Sequence, residues 1–177
     1  MGTITLHQNE KYFEDTPLHL ATLKGNCEII QLLLDHNADI NASDHHGFTP
    51  LQHAIEDNQI KVTKLLLERG ANPNLSSSGY HLPLHLAVKS GYLEIVELLI
   101  SYNVDLNHKG WSGGSALHWL AFTTSDQIIL SQRNVEMFNV LLKSGACINS
   151  QNKHGNNLIE ICLDFKNIGL AKVIWFN

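Results

Sequence analysis

The chain of 177 residues has little of what several protein classes require. Three cysteines, Cys27, Cys147 and Cys162, make no paired disulfide framework. The longest apolar runs, such as residues 32–34, are far too short to span a bilayer. Only 12 basic residues stand against 17 acidic ones, and no Lys/Arg cluster offsets the formal net charge of −5. Nucleic acid and membrane are therefore not expected as partners.

Targeting signals are also lacking. The N-terminus has neither a charged region followed by an apolar stretch nor a complete myristoylation motif, because Leu6 takes the position of the required Ser or Thr. We therefore expect a cytoplasmic or nuclear protein. A hydrophobic content of 44% at this length fits one soluble domain with a sizeable core.

One hexapeptide recurs along the chain. TPLHLA begins at Thr16, TPLQHA at Thr49, LPLHLA at Leu82 and SALHWL at Ser115, with starts 33 residues apart. A degraded fifth copy, NLIEIC, begins at Asn157, after an interval of 42 residues. The longer interval implies an insertion of nine residues in the fourth unit.

Each unit predicts a short helix, a turn, a longer helix and a loop. Thr49 can cap the first helix and Pro50 suits its first position. Gly25 and Gly91 can end first helices, and glycine or asparagine follows the apolar periodicity of the second helices, at Gly70, Gly145, Asn37 and Asn103. A further asparagine recurs later in each unit, where its side chain can tie down a turn; these are Asn41, Asn74, Asn107 and Asn149. One such helix pair cannot bury its apolar side alone, so we expect the copies to stack.

The period of 33 residues with Thr-Pro-Leu-His resembles the ankyrin repeat over nearly the whole chain. The resemblance implies an all-α solenoid of stacked helix-turn-helix units with β-hairpin or loop fingers and a concave face. We assign one domain over 1–177, with an extension at 1–10. Its repeats are placed at about 11–43, 44–76, 77–109, 110–151 with the insert in 123–135, and 152–177 as a truncated C-terminal cap.

The resemblance also implies partner-binding positions on the fingers and at the ends of the first helices. An aromatic or histidine stands on every finger, and large aromatics are typical of binding hot spots. For Phe48 and Trp111 binding is favoured over packing, whereas for Tyr12 and Phe13 both interpretations stand equally. The expected partner-binding residues are Tyr12, Phe13, His45, His46, Phe48, Glu56, Asp57, His81, Lys89, Trp111 and Phe122.

The sequence offers little support for catalysis or metal binding. His19, His85 and His118 share the fourth slot of the hexapeptide, and the family uses that imidazole to brace adjacent fingers. His45 and His46 lack the ligand spacing of zinc sites. Cys27 and Cys162 fall on helix positions typical of inert core thiols. No cofactor, metal ligand or catalytic residue is therefore expected.

Two apolar segments have alternative interpretations. Residues 128–130 of the insert either pack locally or contact a partner. Trp175 and Phe176 either fold back over the last helices or form part of a contact.

The function expected from this pattern is a non-catalytic protein–protein interaction module, a regulatory subunit or inhibitor of a kinase or transcription-factor type of partner. We expect it to be monomeric alone and to act within a hetero-complex. Seventeen asparagines suggest an alternative, a host-modulating ankyrin protein of a virus, symbiont or parasite. Another alternative is a structural fragment of a longer ankyrin array.

Overall fold

The computed structural model describes residues 15–77, 82–110, 113–123 and 132–176. In these ranges the chain forms helices and turns and no strand. None of the described helices is long and apolar enough to cross a membrane. The expected side-chain contacts of Tyr12, Phe13, His81 and Trp111, and of the apolar segment 128–130, lie outside the described residues.

The described helices follow one another as five antiparallel pairs, each with a first and a second helix. Successive first helices contact each other from α1 through α9, and second helices do so from α2 through α8. The all-α repeat solenoid is therefore confirmed. The pairs are α1 (Pro17–Leu23) with α2 (Cys27–Asp35), α3 (Pro50–Glu56) with α4 (Ile60–Glu68), α5 (Pro83–Lys89) with α6 (Leu93–Ser101), α7 (Ala116–Thr123) with α8 (Gln132–Lys143), and α9 (Leu158–Asp164) with α10 (Ile168–Phe176).

The hexapeptide starts each first helix by a local mechanism. The Thr49 hydroxyl accepts from the backbone N–H of Gln52, while the Gln52 side chain accepts from the Thr49 N–H at 2.8 Å. This reciprocal capping box satisfies two backbone donors that the first turn leaves unpaired. Thr16 with His19 and Asn157 with Glu160 form the same box. The predicted cap at Thr49 is confirmed.

The predicted helix ends are also confirmed. Asn37 and Asn103 follow α2 and α6 with φ of 60° and 57°, and Gly70 and Gly145 follow α4 and α8 with φ of 91° and 103°. Asparagine tolerates this left-handed backbone better than other residues with a side chain do, and glycine adopts it without strain. The second helices α2, α4, α6 and α8 therefore stop at the same point of the repeat.

The core runs along the stack as one continuous row. The second residue of each of the first four first helices is at most 2% exposed; these residues are Leu18, Leu51, Leu84 and Leu117. They belong to a single cluster that reaches from Leu18 to Leu170. Because each pair packs on the next, the apolar surface of any one pair is removed from water by its neighbours.

The recurrent asparagines after the second helices act between repeats. Asn41 Oδ1 accepts from the N–H of Asn72 at 2.9 Å, and Asn74 Oδ1 accepts from the N–H of Asp105 at 2.8 Å. Asn107 likewise accepts from Cys147 at 2.7 Å. Each of these side chains therefore links its own turn to the loop of the following repeat, a connection that the local pattern did not predict.

The insert is in part helical. α8 has 12 residues, whereas α2, α4 and α6 have nine each, because α8 begins early, at Gln132. Residues 132–134 of the predicted insert therefore add about one turn to the second helix. At the end of the chain, Trp175 lies on α10 and is 80% exposed, so the alternative in which it folds back over the last helices is wrong.

Fingers four and five approach each other closely at Gly113. A Cβ added there would lie 2.5 Å from the backbone nitrogen of Lys153, and Gly113 has φ of +71°. Gly145 also has a positive φ, but no atom lies within 4 Å of its Cβ position. We expect Gly145→Ala to lower the free energy of unfolding by about 1 kcal/mol, the cost of the left-handed backbone alone.

Gly113→Ala should cost on the order of 3 kcal/mol, because the clash with the fifth finger adds to that strain. Urea denaturation followed by circular dichroism measures both variants. Equal midpoints for the two alanine variants would contradict the close approach of the fingers.

Candidate protein-interaction face

The first helices and the described finger residues are here called the inner face of the stack. Finger two is closed by Asp44, whose carboxylate accepts from the N–H groups of His46 and Phe48, each at 2.8 Å, and from His53 Nε2 at 2.7 Å. Burial raises the pKa of Asp44, but the His53 imidazole and the two N–H groups outweigh it, so the pKa lies below its ordinary value. Asp44 is therefore an ionised structural acceptor that shapes the finger.

The histidine slot links the first helices of repeats one and two to the finger or loop that follows. His19 Nδ1 accepts from the Thr16 N–H, and its Nε2 donates to the carbonyl of Phe48 at 3.0 Å. Gln52 does the same in the second repeat, where its amide donates to the carbonyl of Leu75 at 3.4 Å. The bracing role implied by the family resemblance is confirmed for His19.

His118 holds the same slot in the fourth repeat. Its Nδ1 accepts from the Ser115 N–H at 3.1 Å, and its ring faces the backbone of Ser150 and Asn156 near the fifth finger. Burial lowers the pKa of both His19 and His118 below 6.5, and the backbone partners offset this only in part. Both rings are therefore held neutral inside the stack.

Those predicted partner-binding residues that the structure describes lie on neighbouring repeats. His45 and His46 are exposed on finger two with ring centroids 3.6 Å apart. Phe48 is half-buried against the core and its ring centroid is 5.5 Å from that of His53, so packing accounts for much of its surface. Glu56 and Asp57 are exposed at the end of α3.

Further along the inner face lies a group of aromatic rings, here called the aromatic strip: Trp119, Phe122 and Phe165. The centroids of Trp119 and Phe122 are 6.4 Å apart, and those of Phe122 and Phe165 are 4.9 Å apart, both edge to face. Lys89, exposed at the end of α5, places its ammonium 6.0 Å from the centroid of the Trp119 ring. The strip thus extends across two successive repeats, and Lys89 of the preceding repeat places a cation beside it.

Lys89 and Phe122 are among the predicted partner-binding residues of this face. Trp119 and Phe165 were not predicted. Phe165 is 46% exposed and directly follows α9. The first helices α1, α3 and α5 are followed at that point by the polar residues Lys24, Asp57 and Ser90. The sequence signal for Phe165 was a large aromatic residue at a repeat position that is polar in the first three repeats.

Asp15, Asp44 and His45 bring three metal-type ligand atoms within 4.8 Å of one another, the one such group in the described ranges. The oxygens of Asp44 already accept from three donors. His45 Nδ1 lies 3.8 Å from the Asp15 carboxylate, at the distance of an ion pair. The contacts fit a polar link between fingers one and two.

The cysteines offer little nucleophilic chemistry. Burial raises the pKa of the Cys162 thiol to about 12, so it stays protonated at neutral pH. Cys27 is half-buried at the start of α2, against the expectation of a core position, and Cys147 is exposed in a loop.

Five stacked helix pairs with a partly exposed aromatic strip define an all-α repeat scaffold. A family model for ankyrin repeats, described as three copies, matches residues 3–77 and again 76–152. The chain therefore belongs to the ankyrin repeat family, whose repeats are protein–protein interaction modules.

Two curated relatives match parts of the chain. The palmitoyltransferase ZDHHC17 of Danio rerio is 42% identical over 48 residues, which are 27% of this chain and 8% of the relative. An ankyrin repeat protein of Rickettsia bellii (strain RML369-C) is 51% identical over 37 residues, 21% of this chain and 16% of the relative. The chain thus matches less than a fifth of the length of either relative.

The neutral histidines predict a pH dependence of stability. Because the folded state keeps the pKa of His19 and His118 below the ordinary value of 6.5, the unfolded chain takes up more protons as the pH falls below 6.5. The free energy of unfolding should therefore decrease from pH 7.5 towards pH 5. In the variant His19→Gln/His118→Gln, which places in both slots the residue that Gln52 supplies in the second repeat, this decrease should be smaller.

Urea denaturation at several pH values measures the effect. The reverse exchange, Gln52→His, serves as the matched control and should steepen the dependence, since Gln52 is equally buried. Identical pH profiles for the wild type and the double glutamine variant would contradict the assignment.

Proposed function

We propose that this chain is a non-catalytic binding module, acting in the cytoplasm or nucleus, that holds a partner protein on its inner face. The observation that carries the proposal is the aromatic strip beside Lys89. Phe165 is 46% exposed although it contacts Phe122, and the rings of Trp119 and Phe122 are partly exposed beside it, so the strip offers aromatic surface on the stacked helices. Aromatic residues that keep their shape in the unbound protein are typical hot spots of binding.

The charges of the inner face suggest the chemistry of the partner. Successive first helices end with an acidic pair, Glu56 and Asp57, then with Lys89, and then with the aromatic rings of Phe122 and Phe165. A complementary segment carries a basic group, then an acidic group, then apolar side chains, in that order along the stack. Exposed charges of this kind set orientation and association rate more than affinity.

A regulatory subunit or inhibitor is the role that this arrangement serves most directly, because a bound module occupies the partner's surface without changing it chemically. A kinase or a transcription factor is the partner type that the sequence favours. The buried thiol of Cys162 and the structural use of Asp44 support the non-catalytic part of the proposal.

The two alternatives also have support. Seventeen asparagines and the short match to a Rickettsia protein favour a host-modulating ankyrin protein of a symbiont, parasite or virus. The small share of each relative that is matched favours a piece of a longer ankyrin array. Binding through the inner face is common to all three roles.

Affinity purification followed by titration tests the aromatic strip. A protein captured by the wild type is purified and titrated against Phe122→Ala/Phe165→Ala by calorimetry. Loss of two hot-spot rings should raise Kd about 30-fold or more, or ~2 kcal/mol. Lys64→Ala/Glu97→Ala, exposed on α4 and α6, is the control and should bind as the wild type does. An unchanged Kd for the double phenylalanine variant would refute the proposed face.

Charge reversal at Lys89 tests the polar part of the contact with the same partner. Lys89→Glu should lower the association rate constant about tenfold at low salt, because steering depends on exposed charge. The difference from the wild type should shrink in high salt, where such charges are screened. Lys64→Glu makes the same change of charge on the second helix α4. If both reversals slow association equally, Lys89 has no local role.

A further inference from the structure

The last described helix pair exposes apolar residues that the other pairs bury. Leu163, the sixth residue of α9, is 66% exposed. The sixth residues of the four preceding first helices are at most 1% exposed; they are Thr22, Ile55, Val88 and Ala121. What distinguishes those four positions is that a following helix pair packs on them. Leu163 therefore belongs to the surface that a following pair would cover.

Other residues extend this surface, here called the C-end face. Ile168 at the start of α10 is 58% exposed and Trp175 is 80% exposed. With Leu163 they line an open groove of about 580 Å³ between α9 and α10, together with Ile159, Cys162, Ala171 and two lysines. The groove is mostly apolar, and it continues the side on which each earlier pair receives its neighbour.

The opposite end of the stack shows the complementary feature. Ile29, the third residue of α2, is 47% exposed, whereas the third residues of α4, α6 and α10 are at most 3% exposed; they are Val62, Ile95 and Leu170. Those three pairs each have a preceding pair to pack on. Ile29 lines a recess of about 350 Å³ with Leu20 and Leu33, here called the N-end face.

We propose that these two faces bind each other between two copies of the chain, with the C-end face of one copy packed on the N-end face of the next. The contact continues an interface that the chain already forms four times between its own helix pairs. Leu163 of one copy takes the place that Ile55 and Val88 hold inside the stack, and Ile29 of the other takes the place of Val62 and Ile95. Both surfaces have the register and apolar character that the contact needs.

This association is heterologous, because two different faces meet. Each added copy presents another unused face, so the contact does not close on itself and assembly grows with concentration. Glu56, Asp57 and Lys89 of the inner face lie in the second and third repeats, away from both end faces. Self-association is therefore independent of the proposed partner binding, and it is an alternative to the expectation of a monomer.

Sedimentation velocity over a range from micromolar to hundreds of micromolar protein tests the proposal. The average mass of the wild type should rise with concentration. Leu163→Lys and Ile29→Lys should each remain monomeric over the whole range, because a buried lysine without a partner opposes the contact. Both positions are exposed in the single chain, so the variants should keep the wild-type melting temperature.

Mixing the two variants tests whether the C-end face of one copy binds the N-end face of another. Leu163→Lys keeps an intact N-end face and Ile29→Lys keeps an intact C-end face, so an equimolar mixture should form a species of two chains and nothing larger. The control Glu97→Lys, exposed on α6, should associate as the wild type does. Lys89→Glu, on the third repeat, should also associate normally, which separates this proposal from the proposed function.

Three results would overturn the proposal. One is a wild type that stays monomeric at every concentration, which would assign the end faces to a different occupant. Another is dimerisation of Ile29→Lys alone, which would indicate a symmetric contact between two C-end faces. The third is an equimolar mixture that contains monomers only.

Discussion

Each described helix pair buries apolar side chains by packing against a neighbouring pair. The row of Leu18, Leu51, Leu84 and Leu117 is nearly inaccessible because each of these residues is enclosed by helices from more than one repeat. A helix of seven or nine residues is too short to be stable alone, so the helices and their contacts form together. Polar links at the edges, from His19 to Phe48 and from Asn74 to Asp105, hold successive repeats in one register.

The same constraint decides where side chains can bind other molecules. Residues that face the neighbouring pair are buried in the core, whereas those at the ends of the first helices are only partly buried or exposed. Lys89, Phe122 and Phe165 therefore vary in character from the equivalent residues of other repeats while the fold stays constant. At the two ends of the stack, Ile29 and Leu163 are apolar, like the residues that form the interfaces inside the stack. They are nevertheless exposed, because no described helix pair covers them.

Local patterns predicted most of the fold. The capping boxes, the helix ends and the helical apolar spacing each depend on residues within four positions of one another, so a single chain displays them directly. Such local patterns do not show which backbone groups the recurrent asparagine side chains bind. Asn41 and Asn74 lie beside a turn, but their side-chain oxygens accept hydrogen bonds from backbone N–H groups 31 residues further along the chain. The partner-binding residues were predicted only as positions of the repeat, and the aromatic strip was missed as a unit.

By itself, the sequence determined the repeat, its period, the helix pairs and the need for stacking, because a hydrophobic period and a capping motif are local properties. Only the tertiary structure decided which side chains meet. Phe122 and Phe165 belong to different repeats and are separated along the chain by the whole of α8, yet their ring centroids are 4.9 Å apart. Stacking brings such residues together, since it turns separations of about one repeat along the chain into neighbouring positions in space.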